Sequence, residues 1–576
     1  MVKSENKSEK AAKIVFITAA CFSIVAVFAI VLFIFASAFP ALQEIGTFKF
    51  LFGSKWFPKQ DEYGLLPMIV ATLLVTVSAL LIGGAFGIFT AIFVVYFCPK
   101  KLKGFFNQII VLLAGIPSII YGFFGMIVLS PALKSLFNAE SGNGLLASAL
   151  ILGLMILPTV TSLTKNALES VPRSYSEGSL ALGASREQTI FRIDLPAAKT
   201  GVLSALTLGA GRAIGETMAV LVVCGNSAAF PDGLFSPIRP LTVNIVNEMG
   251  YAMGLHRQAL FATGLVLLVF IFLLNGFLAF IKREKKEKDE ANRTLVGGGA
   301  GEYIYKVRGM GSKILSVVSC LIAAVVVLVL GILIGYILVN GLPEISLDFL
   351  FGKPTYKTPT LLGAFVSTGW IILLSLLIAI PLGVGAAIFL VEYTKPGSKL
   401  VKVIRVFIDT LSGIPSIVFG LFGMIAFCAG GKSLFAGALT LSLMILPTVI
   451  RSVEESLLAV QNSVREGSLA LGATKVRTIF KVVLPSALSG VVTAIILSVG
   501  RIVSESAALI FTAGSLPMVP SSPLDSGSTF AVLMYNFTAE NPNMEAAYAT
   551  ATVLLMLVFL VNLAAYFCEK KWKKNK

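Results

Sequence analysis

Long apolar runs free of charge alternate with short polar segments along the whole chain. A bilayer core takes about 20 apolar residues of helix to cross. Twelve runs meet that length: 14–43, 64–99, 104–133, 141–164, 200–230 and 258–281 in the first half, and 314–343, 358–391, 410–431, 433–450, 486–524 and 546–568 in the second. The short alternating segments of a membrane barrel are not the pattern. The predicted architecture is therefore an all-α polytopic membrane protein with 12 transmembrane helices. Ten of the runs contain no charged residue; the exceptions, 200–230 and 486–524, break the rule in the same way.

Composition agrees. Of 576 residues, 56% are hydrophobic and 13% charged, about half the charged share of an ordinary soluble domain, and a soluble enzyme is excluded. The net charge of +16 would suggest nucleic acid in a soluble protein. Here alternation of the twelve spans puts 35 of the 46 Lys and Arg residues on one side and eight on the other. That bias places both termini in the cytoplasm, locates the chain in the cytoplasmic membrane surrounded by lipid, and requires no nucleic acid. Six cysteines without C-x-x-C spacing and one histidine, His256, supply neither a disulfide framework nor a metal site, and no cofactor is expected.

The halves are copies. Gly115-Ile-Pro-Ser-Ile-Ile-Tyr-Gly-Phe-Phe-Gly-Met126 returns as Gly413-Ile-Pro-Ser-Ile-Val-Phe-Gly-Leu-Phe-Gly-Met424, and Leu154-Met-Ile-Leu-Pro-Thr-Val160 as Leu443-Met-Ile-Leu-Pro-Thr-Val449. Six spans per copy is an even number, so both enter the membrane with one orientation, as a parallel tandem repeat. The halves run 1–281 and 314–576, joined by a charged, glycine-rich linker over 282–313. Pro117 with Ser118, and Pro415 with Ser416, either kink their helices or shape a pathway by freeing backbone groups.

Two polar loops repeat Glu-Gly-Ser-Leu-Ala-Leu-Gly-Ala, at Glu177 to Ala184 and Glu466 to Ala473. Ser174 to Glu177 and Ser463 to Glu466 have capping-box spacing and would start a short helix in each. Capping does not explain the small, apolar Leu-Ala-Leu-Gly-Ala that follows in a loop facing water; a docking surface for a two-fold partner does. At these residues the chain resembles the permease subunits of bacterial ATP-binding-cassette (ABC) importers, whose loop carries Glu-Ala-Ala, then Gly, then Ile-x-Leu-Pro. Both copies here have Gly-Ser for the two alanines. The resemblance covers about 71–278 and 365–565. It implies two six-helix units of the type I importer (MetI-like) fold, with Glu177, Gly183, Ala184, Glu466, Gly472 and Ala473 docking two ATP-binding subunits. ATP hydrolysis would belong to those subunits, and the chain itself would not be an enzyme.

Gly211-Arg-Ala-Ile-Gly-Glu216 in one charged span matches Gly500-Arg-Ile-Val-Ser-Glu505 in the other. With four residues between Arg and Glu, both fall on one face of a continuous helix. An ionised side chain at that depth costs from about 3 to more than 10 kcal/mol. One reading is a structural ion pair, Arg212 with Glu216 and Arg501 with Glu505. The other is a pathway in which the pseudo-two-fold axis brings both guanidinium groups to one lumen, where they hold a tetrahedral oxyanion and the glutamates moderate the field. The first motif, running on through Thr217-Met-Ala-Val220 and Gly225-Asn-Ser227, resembles a PstC-type phosphate permease, and the second its PstA-type partner. The resemblance implies phosphate as cargo, Arg212, Glu216, Arg501 and Glu505 on its route, and an extracytoplasmic phosphate-binding protein as a further partner. Sulfate or a phosphonate would suit paired arginines equally, and a secondary transporter driven by an ion gradient would show the same parallel duplication. Gly431-Lys432-Ser433 ends like a phosphate-cradling loop but lacks its earlier glycine, where Ala426 stands, so no nucleotide site is expected on this chain.

Overall fold

A computed structural model of the chain describes residues 7–292, 310–354, 359–395 and 398–574. They are almost entirely helical; the strands among them are the two-residue pair Trp56–Phe57 and Glu62–Tyr63.

Nine helices among the described residues are long and apolar enough to cross a membrane: Glu9–Phe52, Leu66–Phe97, Ser118–Phe137, Leu145–Glu169, Gly254–Phe277, Lys313–Gly341, Leu362–Tyr393, Leu434–Leu458 and Met544–Ala565. Two bent pairs, Lys399–Gly413 with Ser416–Ala426 at 98° and Lys475–Ser486 with Leu488–Ser504 at 64°, raise the number to at most 11. Four expected spans are thus not continuous helices. Runs 104–133 and 410–431 break at Ile116-Pro117 and Ile414-Pro415, because a residue preceding proline is driven out of the helical region; Ile116 and Ile414 are extended, at ψ 127° and 130°. Pro117 and Pro415 then stand at the N-caps of the next helices, which Ser118 and Ser416 begin. Tyr121 donates to Leu113 O at 2.8 Å, satisfying a carbonyl of the helix before the first break. Runs 200–230 and 486–524 end as helices at Gly215 and Ser504.

The described chain forms two compact units. One comprises 1–42, 250–265 and 341–576; the other comprises 43–249 and 266–340. The first helix of each sequence half therefore belongs to the unit built mainly from the other half. In the first unit, Phe16 and Ala20 share a core with Ala386, Ile404, Leu446, Val449 and Ile479. In the second, Leu315 joins Ala91, Val95, Leu168 and Ile190, and Ala323 joins Phe93, Val94 and Phe106. Lipid tails are as apolar as these side chains, so close backbone approach rather than hydrophobic burial holds such helices together. The Leu66–Phe97 and Leu145–Glu169 helices cross at Gly83 and Gly153, where a Cβ on Gly83 would lie 2.3 Å from Gly153 O.

Candidate functional site

The helix Lys199–Gly215 carries Arg212 in its last turn. Glu216 is extended, φ −72° and ψ 135°, and a short helix Met218–Leu221 follows. The other unit repeats this: Leu488–Ser504 carries Arg501, Glu505 is extended at φ −83° and ψ 132°, and Ala507–Thr512 follows. Arg and Glu therefore do not share a face of one continuous helix; a break separates them. Gly215 terminates the first copy at little conformational cost. In the second, the Ser504 hydroxyl donates to Gly500 O at 2.9 Å and Arg501 O at 3.1 Å, competing with the helical ladder.

The glutamates serve the turn. Glu216 Oε1 accepts from Ala219 N, and Glu505 Oε1 from Ala508 N, each at 3.3 Å, so each carboxylate caps the short helix beyond the break. The Thr242 hydroxyl donates to Glu216 O at 2.9 Å. Among the described residues no ion pair joins Arg212 to Glu216. Arg212 Nη1 donates instead to Thr159 Oγ1 at 3.1 Å, and Arg501 Nη1 to Thr448 Oγ1 at 3.3 Å. Both threonines directly follow a proline inside a long helix, Pro158 in Leu145–Glu169 and Pro447 in Leu434–Leu458. The repeated Leu-Pro-Thr-Val held this partner in plain view in the sequence, but nothing in spacing alone ties it to an arginine 53 residues away.

Both arginines are half-buried, and each lies where the negative end of a half-helix favours a cation. A guanidinium has five N–H donors. Arg212 uses one of them on Thr159. Arg239, in the segment before the helix Leu241–Met249 of the same unit, is consumed by structure: it donates to Glu248 at 2.7 Å, to Asn244 at 3.4 Å and to Asn226 O at 3.1 Å, while Trp56 Nε1 donates to Glu248 at 2.8 Å.

The loop helices Arg173–Ala181 and Asn462–Ala470 start at Pro172 and Gln461 without a side-chain cap, so Ser174 and Ser463 are not capping residues. The reciprocal box lies further on, where Ser185 and Gln188 satisfy each other's backbone N–H at the start of Arg186–Thr189; Thr474 caps the matching helix in the other copy. Proline at the N-cap leaves the first turn's donors to water, which an exposed loop permits. Glu177 and Glu466 are exposed. Gly183 and Gly472 end the helices at φ +85° and +83°, in the left-handed region, and Ala184 N and Ala473 N bond back to Ser179 O and Ser468 O at 3.2 Å. The turn so made leaves Leu182 and Leu471 each 91% exposed. The sequence marked an apolar stretch; only the turn singles out these two side chains.

Behind the first loop, Asp194 is 1% exposed and accepts from Ser176 Oγ at 2.6 Å. Burial pushes its carboxyl above the usual range, against the Ser176 and Tyr96 hydroxyls that favour the ionised form.

Charges that a membrane helix carries only at a cost, placed twice at matching helix breaks, mark a membrane protein made of a duplicated unit. The chain belongs to the binding-protein-dependent transport system inner membrane components, whose family model matches residues 83–287 and 379–574. It is 30% identical to the phosphate transport system permease protein PstA homolog of Mycoplasma pneumoniae, over 91% of this chain and 89% of that protein. It is 37% identical to the phosphate transport system permease protein PstC of Mesorhizobium japonicum, over 42% of this chain and 80% of that one. Among solved structures, an inward-facing form of the MetNI methionine ABC transporter aligns with 36% of this chain and 94% of its own, at 24% identity and a TM-score of 0.29. The chain is a multi-pass permease with Pst-type phosphate permease relatives and two family domains in one polypeptide, consistent with a PstC-like half fused to a PstA-like half.

Proposed function

We infer that this chain is the whole membrane pathway of an importer for inorganic phosphate, driven by two partner ATP-binding subunits and supplied by an extracytoplasmic phosphate-binding protein. The observation that carries the reading is the arginine at the helix break, built twice with a hydrogen bond to a threonine and, at Arg212, with four donors left over among the described residues for a ligand. Phosphate oxyanions suit such donors because planar guanidinium groups bind them bidentately. Arg212 and Arg501 attract the anion. Glu216 and Glu505 hold the chain turn that presents each arginine, and their charge keeps the site weak enough to release its cargo.

Leu182 and Leu471, fixed by Gly183 and Gly472, are the apolar knobs that enter the ATP-binding subunits, with Glu177, Ala184, Glu466 and Ala473 around them. Pro117 with Ser118 and Pro415 with Ser416 hold the breaks at which neighbouring helices change direction. The test is ATP-dependent uptake of labelled phosphate into liposomes holding the chain and its ATP-binding subunits, with sulfate and a phosphonate as competitors. Uptake that needs ATP and is suppressed by unlabelled phosphate alone supports the reading. Uptake suppressed equally by sulfate would overturn the cargo, and uptake that survives without ATP but collapses with the ion gradient would overturn the class.

A further inference from the structure

The two units connect their coupling loops to the membrane helices by different chemistry. Each has a span ending in a π-helical turn, Phe93-Val-Val-Tyr-Phe97 in one and Phe389-Leu-Val-Glu-Tyr393 in the other. A π turn shifts the side chain out of helical register, and at its fourth position stand Tyr96 and Glu392. The residue before the repeated Glu-Gly-Ser of the loop is Ser176 in one copy and Arg465 in the other.

Arg465 Nε donates to Glu392 Oε1 at 2.8 Å. Its Nη2 donates to Leu457 O and its Nη1 to Val460 O, each at 2.5 Å, and Nη1 also reaches Asn462 Oδ1 at 3.2 Å. The two side chains of the ion pair are 15% and 10% exposed. One rigid fork thus joins the loop helix Asn462–Ala470 to the end of the Leu434–Leu458 helix and to the end of the Leu362–Tyr393 span. In the other unit the same positions hold Ser176 and Tyr96, both bonded to the buried Asp194 carboxyl, where the second copy has the apolar Val483. A hydroxyl rotates about one bond and makes one contact as donor, whereas a guanidinium fixes several acceptors at once.

Resting on the importer reading above, we propose that Arg465 is the positioning residue that transmits movement of the second coupling helix to two spans, and that the hydroxyl version in the first unit transmits less. The two coupling loops are then mechanically unequal although their docking tips are alike.

The experiment measures ATP hydrolysed per anion imported, using the full chain with its ATP-binding subunits in liposomes. Arg465→Lys keeps the charge but not the fork, and Glu392→Gln keeps an acceptor but not the charge. Each is expected to raise the ratio at least fivefold while the ATP-binding subunits still co-purify, the double variant being no worse than the worse single one. Ser176→Ala should change the ratio by less than twofold. An unchanged ratio in both single variants, a double variant whose effect is the product of the singles, or an equal effect of Ser176→Ala would each overturn the proposal. If the wild-type complex imports another oxyanion instead of phosphate, the cargo reading fails, and the ratio for that anion still decides the role of Arg465.

Discussion

Truncating the two loop leucines gives the most direct test of docking, because they contribute almost nothing to the permease alone. Leu182 and Leu471 are each 91% exposed, so Leu→Ala should alter the permease's own stability by no more than about 0.5 kcal/mol. Burial in a partner groove is another matter. Each buried methylene contributes about 0.8 kcal/mol and Leu→Ala removes three carbons, which gives about 2 kcal/mol per site. Ordering of the loop on binding takes back part of that, leaving about 1–2 kcal/mol, a weakening of roughly five- to thirtyfold for one variant. The two leucines belong to different units, so their effects are expected to add in free energy, and the double variant should weaken association by about the square of that factor. The assay is titration of the detergent-solubilised permease with the purified ATP-binding subunits, read as an equilibrium dissociation constant, with the permease melting temperature as control. A double variant that binds as tightly as the wild type, or one that binds weakly only because its melting temperature has dropped, would refute the reasoning.

Other outcomes follow from the same geometry. Arg212→Ala or Arg501→Ala should abolish uptake while membrane insertion is retained, and normal transport by both would remove the arginines from the pathway. Thr159→Val keeps the side chain's shape but leaves Arg212 without its protein hydrogen bond, a contact to a charged group that contributes about 1.5–3 kcal/mol; transport should fall at least tenfold, more than for Thr161→Val on the same helix. A Cβ added at Gly472 meets no atom within 4 Å, but Gly472→Val forces a β-branched residue to φ +83°, at a cost of about 1–3 kcal/mol; weaker association of the ATP-binding subunits is expected, measured by co-purification. Asp194 is held protonated more strongly when folded than when unfolded. Its stabilising share is present below the ordinary carboxylate pKa and is lost as pH rises through the raised folded value. The melting temperature of Asp194→Asn should therefore gain on the wild type as pH is raised from about 4 to 8.

Much of this protein was legible in one dimension. Apolar length and the absence of charge determine that a segment belongs in lipid, because hydrocarbon solvates no ion and no bare backbone. Identical blocks on either side of a charged linker reveal the duplication whatever the fold. The pair of intramembrane arginines stood out for the same energetic reason, as did the apolar stretch in a polar loop.

What the sequence could not decide was where a run of apolar residues stops being one helix. Ile116-Pro117, Ile414-Pro415, Gly215-Glu216 and Ser504-Glu505 all lie in stretches whose hydropathy reads as continuous span, yet the chain turns at each. Hydropathy reports transfer to lipid and is blind to backbone direction, which local sterics and competing hydrogen bonds set. Those turns separate Arg from Glu and hand Arg212 to Thr159 and Arg501 to Thr448. They also give each glutamate a backbone N–H to cap, Glu216 at Ala219 and Glu505 at Ala508. The exchange of first helices between units is likewise absent from any linear pattern, because which helix a small-residue face packs against depends on contacts between residues hundreds of positions apart. The residues that carry charge, and the fact that there are two of each, were fixed by the chain's chemistry; their partners were fixed by the folded backbone, since a hydrogen bond of about 3 Å depends on where two helices break rather than on what either is made of.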